Sequence, residues 1–233
     1  MKTLKLLSGG AAQGLVAQLR DRAAKEIGCA IEGTFGAVGA MRDKLLTGEA
    51  CDVIILTQAL VDQLAADGHL AGKSQRALGV VKTGIAVKAG ASVPQVADAS
   101  SLKAALLAAR GVYFPDPVKA TAGIHFMKVL TALGIAEQLG ERLRPFPNGA
   151  TAMREMAQSA ETGLIGCTQV TEILYTPGVQ LVALLPPEFE LATVYTAAVC
   201  TRAQEPLAAA EFVRMLAGSE AAELRKAGGF EAA

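Results

Sequence analysis

Short apolar runs alternate along the chain with longer stretches in which apolar positions recur at helical spacing. In the first third, the apolar runs are 4–8, Cys29–Thr34 and Asp52–Leu56, and the helical stretches are 11–26, 38–47 and 58–67. This alternation predicts an α/β fold with a mostly parallel sheet and helices on both faces. Ligands of such sheets bind at the carboxyl ends of the strands.

A long extended run, Leu78–Val87, leads into a second series of the same kind. That series contains predicted helices at 101–109, 122–138 and 150–160 and predicted strands at 111–114, 164–167 and 179–184. A return run at Thr193–Val199 precedes two amphipathic helices, 205–217 and 219–227. The pattern therefore predicts two lobes, 1–82 plus 191–233 and 83–190, joined by two hinge crossings. A hinge allows two lobes to close over a ligand.

Three turns rich in glycine and hydroxyl residues lie where predicted strands give way to helices. They are Ser8-Gly9-Gly10, Thr34-Phe35-Gly36-Ala37-Val38-Gly39 and Lys119-Ala120-Thr121-Ala122-Gly123. The free N–H groups and the positive dipole end of a helix N-terminus favour anions. Three such turns in one chain predict a cleft that captures a small anion.

Composition argues against several classes of protein. The 233 residues carry 22 basic and 22 acidic side chains, for a formal net charge of zero. General nucleic-acid binders and membrane-surface binders need a basic face. No apolar run reaches the roughly 18 residues that span a bilayer. We therefore expect neither a nucleic-acid partner nor membrane insertion.

The first seven residues are basic and then apolar, like the start of a signal peptide. The apolar part is shorter than the about 7–15 residues of a signal-peptide core, so we interpret it as the first strand. The expected location is cytoplasmic for the sequence as it stands, or periplasmic if a leader has been removed.

Cysteine and histidine are sparse. Cys29, Cys51, Cys167 and Cys200 are widely spaced without a CxxC pair, so metal or redox-pair interpretations are weak and reduced core residues are expected. With only two histidines, a histidine-based metal site is not expected either. The sequence predicts no cofactor.

Each candidate residue also has an ordinary structural interpretation. Ser8 and Thr34 are hydroxyl donors to an anion, or simple helix caps. Lys119 and Thr121 offer a charge and a helix start, or form a solvated loop. Gly149 allows close approach of the backbone to a ligand, or only marks a turn.

Further candidates come from the later turns. Thr168 and Gln169 end a buried strand, and buried polar groups need partners that a ligand could supply. Arg154 could bind a carboxylate but is more typical of a solvated helix charge. Glu172 and His125 are possible proton-transfer groups, although an exposed helix glutamate and a hydrogen-bonded structural histidine are the expected interpretations.

The segments Leu-Ser-Gly-Gly-Ala near the start, Thr34–Ala40 and Cys51–Ile55 together resemble the type II periplasmic-binding-protein fold. Gly123–Phe126 and the stretch from Ser219 to Phe230 resemble it too, so the likeness covers essentially the whole chain. The most similar branch is the molybdate-binding solute-binding proteins. The stretch Ile165–Leu174 is more similar to the subgroup that includes aconitate isomerase.

The resemblance implies a ligand held by hydroxyls and backbone N–H groups. Together, the residue patterns and the resemblance give these candidate ligand-binding residues: Ser8, Gly9, Gly10, Thr34, Gly36, Ala37, Val38, Lys119, Thr121, Ala122, Gly149, Thr151, Thr168 and Gln169. The chain departs from the molybdate-binding pattern in two places. Ala37-Val38-Gly39 stands where a serine is common, and the segment Gly166–Ile173 lacks the usual tyrosine, which weakens the case for molybdate itself.

Two functions fit these observations. The first is a solute-binding protein that captures an oxyanion or a di- or tricarboxylate and, if exported, passes it to the permease of an ABC transporter. The second is an isomerase that shifts a double bond in an unsaturated tricarboxylate by removing and returning a proton. That reaction needs a base and groups that stabilise the developing negative charge, and the sequence does not single out the base.

Overall fold

The computed structural model describes residues 2–232 and separates the chain into two compact units. The first unit comprises the residues up to Val81 and those from Thr193 onward, and the second comprises Lys82–Ala192. Each is an α/β unit with its own hydrophobic core.

Nine strands and ten α-helices form the described chain. The strands are β1 Lys2–Gly9, β2 Cys29–Gly36, β3 Val53–Thr57, β4 Arg76–Lys88, β5 Gly111–Pro115, β6 Leu143–Phe146, β7 Leu164–Gln169, β8 Val179–Leu184 and β9 Ala192–Val199. The helices are α1 Gln13–Glu26, α2 Val38–Leu46, α3 Gln58–Ala66, α4 Ala99–Ala108, α5 Thr121–Ala132, α6 Ala136–Leu139, α7 Gly149–Gln158, α8 Val170–Tyr175, α9 Pro206–Ala217 and α10 Ala222–Ala227.

In the first unit, β1 lies between two parallel neighbours, β2 and β3. The return strand β9 pairs antiparallel with β3, and the strand order is β2-β1-β3-β9. All five residues of β3 are buried, as expected for a strand covered on both faces. Their side chains join a core that also includes Leu19 of α1 and Phe212 of α9.

In the second unit, β5 lies between two parallel neighbours, β6 and β7. Strand β4 pairs antiparallel with both β7 and β8, giving the order β4-β7-β5-β6 with β8 attached to β4. Phe114 of β5 and Phe126 of α5 meet edge to face in the core. The parallel strands thus direct their carboxyl ends to one edge of the sheet.

Most predicted elements are present, with three corrections. The predicted helix 122–138 is wrong as a single element because the chain adopts a left-handed turn at Gly134 (φ 66°), which separates α5 from α6. Strand β6 was not predicted, since four residues that include Pro145 give no clear alternation. A 3₁₀ turn, Gly10–Ala12, precedes α1, and another, Ser219–Ala221, precedes α10.

Across residues 2–232, none of the helices combines the length and the apolar character needed to cross a membrane.

Candidate functional site

The carboxyl edge of the second unit's sheet carries three strand-to-helix connections, one of which is the predicted turn at Lys119–Gly123. Helices α5, α7 and α8 begin directly after β5, β6 and β7, respectively. Because β5 is parallel to both other strands, these three helix N-termini lie on the same edge. Four of the predicted ligand-binding residues (Thr121, Gly149, Thr168 and Gln169) lie in or next to these connections.

The turn before α5 is organised by Asp116. Its Oδ1 atom accepts hydrogen bonds from the backbone N–H groups of Val118 (2.7 Å) and Lys119 (2.8 Å). The N-cap residue is Ala120, so no side chain caps the helix. Helix α5 therefore presents its first turn, which begins at Thr121 and Ala122, without a protein side chain as hydrogen-bond acceptor.

A glycine holds α5 against the end of β5. A Cβ atom at Gly123 would lie 2.2 Å from the carbonyl oxygen of Pro115 and 2.3 Å from that of Asp116. Only glycine allows this approach of helix to strand. The Lys119 side chain, in contrast, is exposed on the turn.

The free N–H groups at the N-terminus of α7 already have hydrogen-bond acceptors within the protein. The Asn148 side chain accepts a hydrogen bond from the N–H of Thr151 at 2.8 Å. The carboxyl group of Glu172, from α8, accepts hydrogen bonds from the backbone N–H groups of Gly149 and Ala150. It also accepts one from Thr168 Oγ1 at 2.5 Å. A Cβ atom at Gly149 would lie 2.0 Å from Glu172 Oε2, so glycine is needed for this contact.

The expectation that Glu172 is an exposed helix residue is therefore wrong. It is 5% exposed because α8 turns it toward α7. Burial raises the pKa of its carboxyl group above the ordinary value, while the hydrogen bonds from Thr168 and the backbone lower it and offset part of that effect. The Glu172 carboxyl group thus occupies the N-terminus of α7, and the roles of Gly149 and Thr151 as ligand contacts stay predictions.

Three side chains beside this edge form what we name the polar cluster: Thr83, Gln169 and Thr171. They are 1%, 2% and 4% exposed. Thr83 of β4 is the cross-strand partner of Gln169, the last residue of β7. Within residues 2–232, neither the Gln169 amide nor the two hydroxyls has a hydrogen-bond partner. Buried polar groups in proteins are nearly always paired, so the cluster requires an additional partner.

Sequence reasoning found one member of the polar cluster and missed two. Gln169 was identified because it ends a buried strand. Thr83 lies in a long apolar run, where only knowledge of the strand pairing would reveal its partner. Thr171 follows Gln169 by two residues, and its burial depends on how α8 packs.

The carboxyl edge of the first unit contains Ser8, Gly9 and Gly10 at the end of β1. Ser8 is fully buried, and its hydroxyl donates a hydrogen bond to the carbonyl of Gly9 at 2.8 Å. A Cβ atom at Gly9 would lie 2.8 Å from Val38 Cγ1 and 3.0 Å from Tyr195 Cε1. The turn is therefore tightly packed at Gly9.

The second predicted turn of this edge lies at the end of β2. Gly36 is the last residue of β2, Ala37 is the N-cap of α2, and Val38 is its first residue. No side chain caps α2. Thr34 lies inside β2 with its side chain exposed, three residues before the N-cap. Ligand contacts by these residues stay predictions.

Two further candidates have protein partners. His125 Nε2 lies 2.8 Å from the carbonyl oxygen of Phe189, in agreement with a hydrogen-bonded structural histidine. Arg154 is exposed and donates a hydrogen bond to Thr151 Oγ1 at 3.1 Å.

Known proteins resemble this chain over nearly its whole length. An aconitate isomerase from Pseudomonas sp. is 27% identical over 232 residues, covering 95% of this chain and 84% of the relative. The periplasmic molybdate-binding protein of Azotobacter vinelandii superposes with a TM-score of 0.80 at 20% identity, covering 99% of each chain. A tungstate ABC transporter structure from Geobacter sulfurreducens gives a TM-score of 0.65 at 15% identity, covering 96% of this chain and 97% of the other.

These structural likenesses confirm the predicted periplasmic-binding-protein fold. The sequence family described as bacterial extracellular solute-binding protein matches residues 4–231. The chain therefore belongs to the family of bacterial extracellular solute-binding proteins.

Proposed function

We propose that this protein is a solute-binding protein for a small carboxylate-bearing anion. The observation that supports this most directly is the polar cluster at the carboxyl end of β7. Leaving a buried donor or acceptor unpaired costs about 1–3 kcal/mol, so an amide and two hydroxyls without partners favour a bound ligand. Ligands of α/β sheets bind at this edge.

The second unit supplies neutral hydrogen-bond donors for such an anion. Helix α5 begins at the end of β5, next to β7, and lacks a side-chain cap. Its N–H groups and dipole favour negative charge. Helix α7 is less suited to this role because Glu172 already occupies its N-terminus. We therefore assign the anion to α5 and the polar cluster.

The Gln169 amide favours a carboxylate over a metal oxyanion. Its nitrogen donates two hydrogen bonds, and its oxygen needs a donor in return. A hydroxycarboxylate offers both acceptors and a hydroxyl donor, whereas fully ionised molybdate or tungstate offers only acceptors. The hydroxycarboxylate citrate therefore suits the cluster better than molybdate does.

A thermal-shift screen tests the proposal. The compounds are molybdate, tungstate, sulfate, phosphate, citrate and cis- and trans-aconitate. A ligand that binds only the folded state raises the melting temperature by mass action. We expect the largest shift with the hydroxycarboxylate citrate and little or no shift with molybdate or tungstate.

Matched variants connect the shift to the polar cluster. Gln169→Ala removes the buried amide, and we expect it to abolish most of the carboxylate-induced shift. Gln180→Ala is the control, because Gln180 is half-buried on β8, paired with Val87 rather than with the Thr83 end of β4. A rise in melting temperature with molybdate or tungstate alone would contradict the proposal. So would a carboxylate-induced rise that is equally large in Gln169→Ala and Gln180→Ala.

A second candidate function is isomerisation of an unsaturated tricarboxylate. It is favoured by the similarity to an aconitate isomerase over 95% of this chain. The reaction would remove a proton from one carbon and return it to another while donors stabilise the negative charge. Lys119 lies in the turn before α5, where a cation would contribute to that stabilisation. Glu172 has a raised pKa, but its carboxyl group is engaged at α7.

Incubation with trans-aconitate, followed by chromatography of the products, separates binding from turnover. Formation of cis-aconitate would establish the isomerase, and the Lys119→Met variant should then lose activity. Lys128→Met, an exposed position on α5, serves as the control. Binding of trans-aconitate without formation of any product would contradict the isomerase function and support the solute-binding function.

We also propose that the protein is exported and delivers its ligand to an ABC transporter permease. The description of the family as extracellular supports this location. Fractionation of the native cells tests it with an antibody against the chain. Recovery in the periplasmic or medium fraction supports export, and recovery in the cytoplasmic fraction overturns it.

A further inference from the structure

Two cysteines that are 149 residues apart in the sequence meet inside the first unit. Cys51 Sγ and Cys200 Sγ are 3.4 Å apart, and both residues are buried. Cys51 precedes β3 and Cys200 follows β9, and the antiparallel pairing of Val53 with Val199 brings the two together. A bond between Cys200 N–H and the Asp52 carbonyl (2.9 Å) continues this pairing beyond the strands.

We propose that Cys51 and Cys200 form a reversible disulfide, which makes this pair a redox-sensitive modification site. A disulfide has an S–S distance of about 2.0 Å, so the sulfur atoms need to approach by little more than 1 Å. The other two cysteines lie elsewhere, Cys29 at the start of β2 and Cys167 within β7 of the second unit. The pair is independent of the polar cluster and of the proposed ligand.

An oxidant can reach the two sulfurs through a pocket. Both cysteines line a cavity of about 520 Å³, together with the segment 48–50, His69 and Arg202. The segment 48–50 and Arg202 are exposed, so the cavity is open to small molecules. Among residues 2–232, no group of three or more metal-type side chains forms.

Hydrogen bonding distinguishes the two thiols. Cys200 donates its S–H to Cys51 Sγ, and Cys51 donates to the carbonyl of Val53 at 3.1 Å. This bond to Cys51, together with burial and the nearby Asp52 carboxylate, raises the pKa of Cys200. Cys200 therefore keeps its proton more tightly than an ordinary thiol does.

The oxidant is a disulfide, such as oxidised glutathione or a disulfide-bonded oxidoreductase. Cys51 loses its proton to solvent, and its thiolate attacks one sulfur of the oxidant, forming a mixed disulfide and releasing one thiolate. Cys200 then loses its proton and attacks Cys51 Sγ, which releases the second half of the oxidant. The two cysteines are oxidised by two electrons, and the oxidant is reduced to two thiols.

Mass spectrometry of the intact wild-type protein tests this directly. After treatment with oxidised glutathione, we expect a loss of about 2 Da without a retained glutathione adduct, since two hydrogens leave the protein. Proteolysis without reductant should yield a peptide that links Cys51 to Cys200, while Cys29 and Cys167 remain available to alkylation after unfolding. Dithiothreitol should restore the original mass.

The linkage should also change stability. Closing a loop of this length restricts the unfolded chain, so we expect the oxidised protein to melt roughly 5–15 °C higher than the reduced protein. Cys200→Ser should lose both the linked peptide and the rise in Tm, and Cys29→Ser should keep both. Recovery of Cys51 and Cys200 as free thiols after oxidation, or a glutathione adduct that persists on Cys51, would overturn the proposal. The wild-type mass measurement decides the question even if a variant fails to fold.

Discussion

The carboxyl group of Glu172 occupies the position at the N-terminus of α7 that an external anion would otherwise take. Removing it in Glu172→Ala leaves Thr168 Oγ1 and the N–H groups of Gly149 and Ala150 without their buried acceptor. We expect the free energy of unfolding to fall by about 2–4 kcal/mol, as for other losses of buried hydrogen-bond networks. Urea denaturation measures it.

An exposed glutamate on the same helix provides the control. Glu155→Ala removes a carboxylate from the solvent face of α7 and should change the unfolding free energy by less than about 0.5 kcal/mol. Equal effects of the two variants would show that the buried contact contributes no stability.

Glu172 also gives stability a defined pH dependence. Burial raises its folded-state pKa above the ordinary value of 4.5, so the folded state binds the proton more tightly than the unfolded state. This contribution is fully present below the unfolded pKa and is lost as pH rises through the folded pKa. We expect wild type to lose stability relative to Glu172→Gln as pH rises above the ordinary value of 4.5, measured by urea denaturation. A constant difference between the two proteins would contradict this prediction.

The burial of Glu172 could not be predicted from the sequence. Glu172 was expected to be exposed because a glutamate on a helix normally is. The i, i+4 spacing from Thr168 was visible in the sequence, but the short helix α8 leaves open which face is covered. Burial of Glu172 depends on the approach of α7, and no local pattern encodes that approach.

At the scale of elements, the contact between α5 and the end of β5 depends on Gly123. In Gly123→Ala, the new methyl group would overlap the carbonyl oxygens of Pro115 and Asp116, which are backbone atoms and cannot turn aside. The helix must shift, and we expect a loss of about 2–4 kcal/mol in unfolding free energy. Because the N-terminus of α5 moves as well, ligand-induced thermal shifts should weaken.

Gly72→Ala is the matched control, since a Cβ atom there would have no neighbour within 4 Å. It should be neutral or slightly stabilising, because alanine restricts the unfolded chain more than glycine does. Comparison of the two variants by urea denaturation therefore separates steric overlap from a general effect of replacing glycine.

The sequence predicted elements well where apolar runs are long and poorly where they are short. The buried strands β3 and β7 are apolar and were located within about two residues, typical of boundary errors. Strand β6 contains only four residues with no apolar alternation, so nothing local marks it. Gly134 lies inside a helical pattern, where an isolated glycine is often tolerated, and only its left-handed conformation shows that the helix ends.

At the scale of the whole molecule, the balance of charge bears on how an anion is captured. The chain has 22 basic and 22 acidic side chains and no formal net charge. The net charge of the chain therefore does not attract an anion over long distances. The proposed site relies instead on hydroxyls, an amide and the N–H groups of α5. Such short-range donors are much less sensitive to salt than exposed ion pairs are.

Affinity for the anion identified in the thermal-shift screen should consequently depend little on ionic strength. We expect Kd, measured by isothermal titration calorimetry, to change less than about threefold between roughly 0.05 and 0.5 M sodium chloride. The exposed Lys119 is the one proposed contact that salt would screen, so Lys119→Met should remove the residual dependence. A tenfold or greater weakening in wild type would instead mean that charge pairing, rather than the polar cluster and α5, supplies most of the binding free energy.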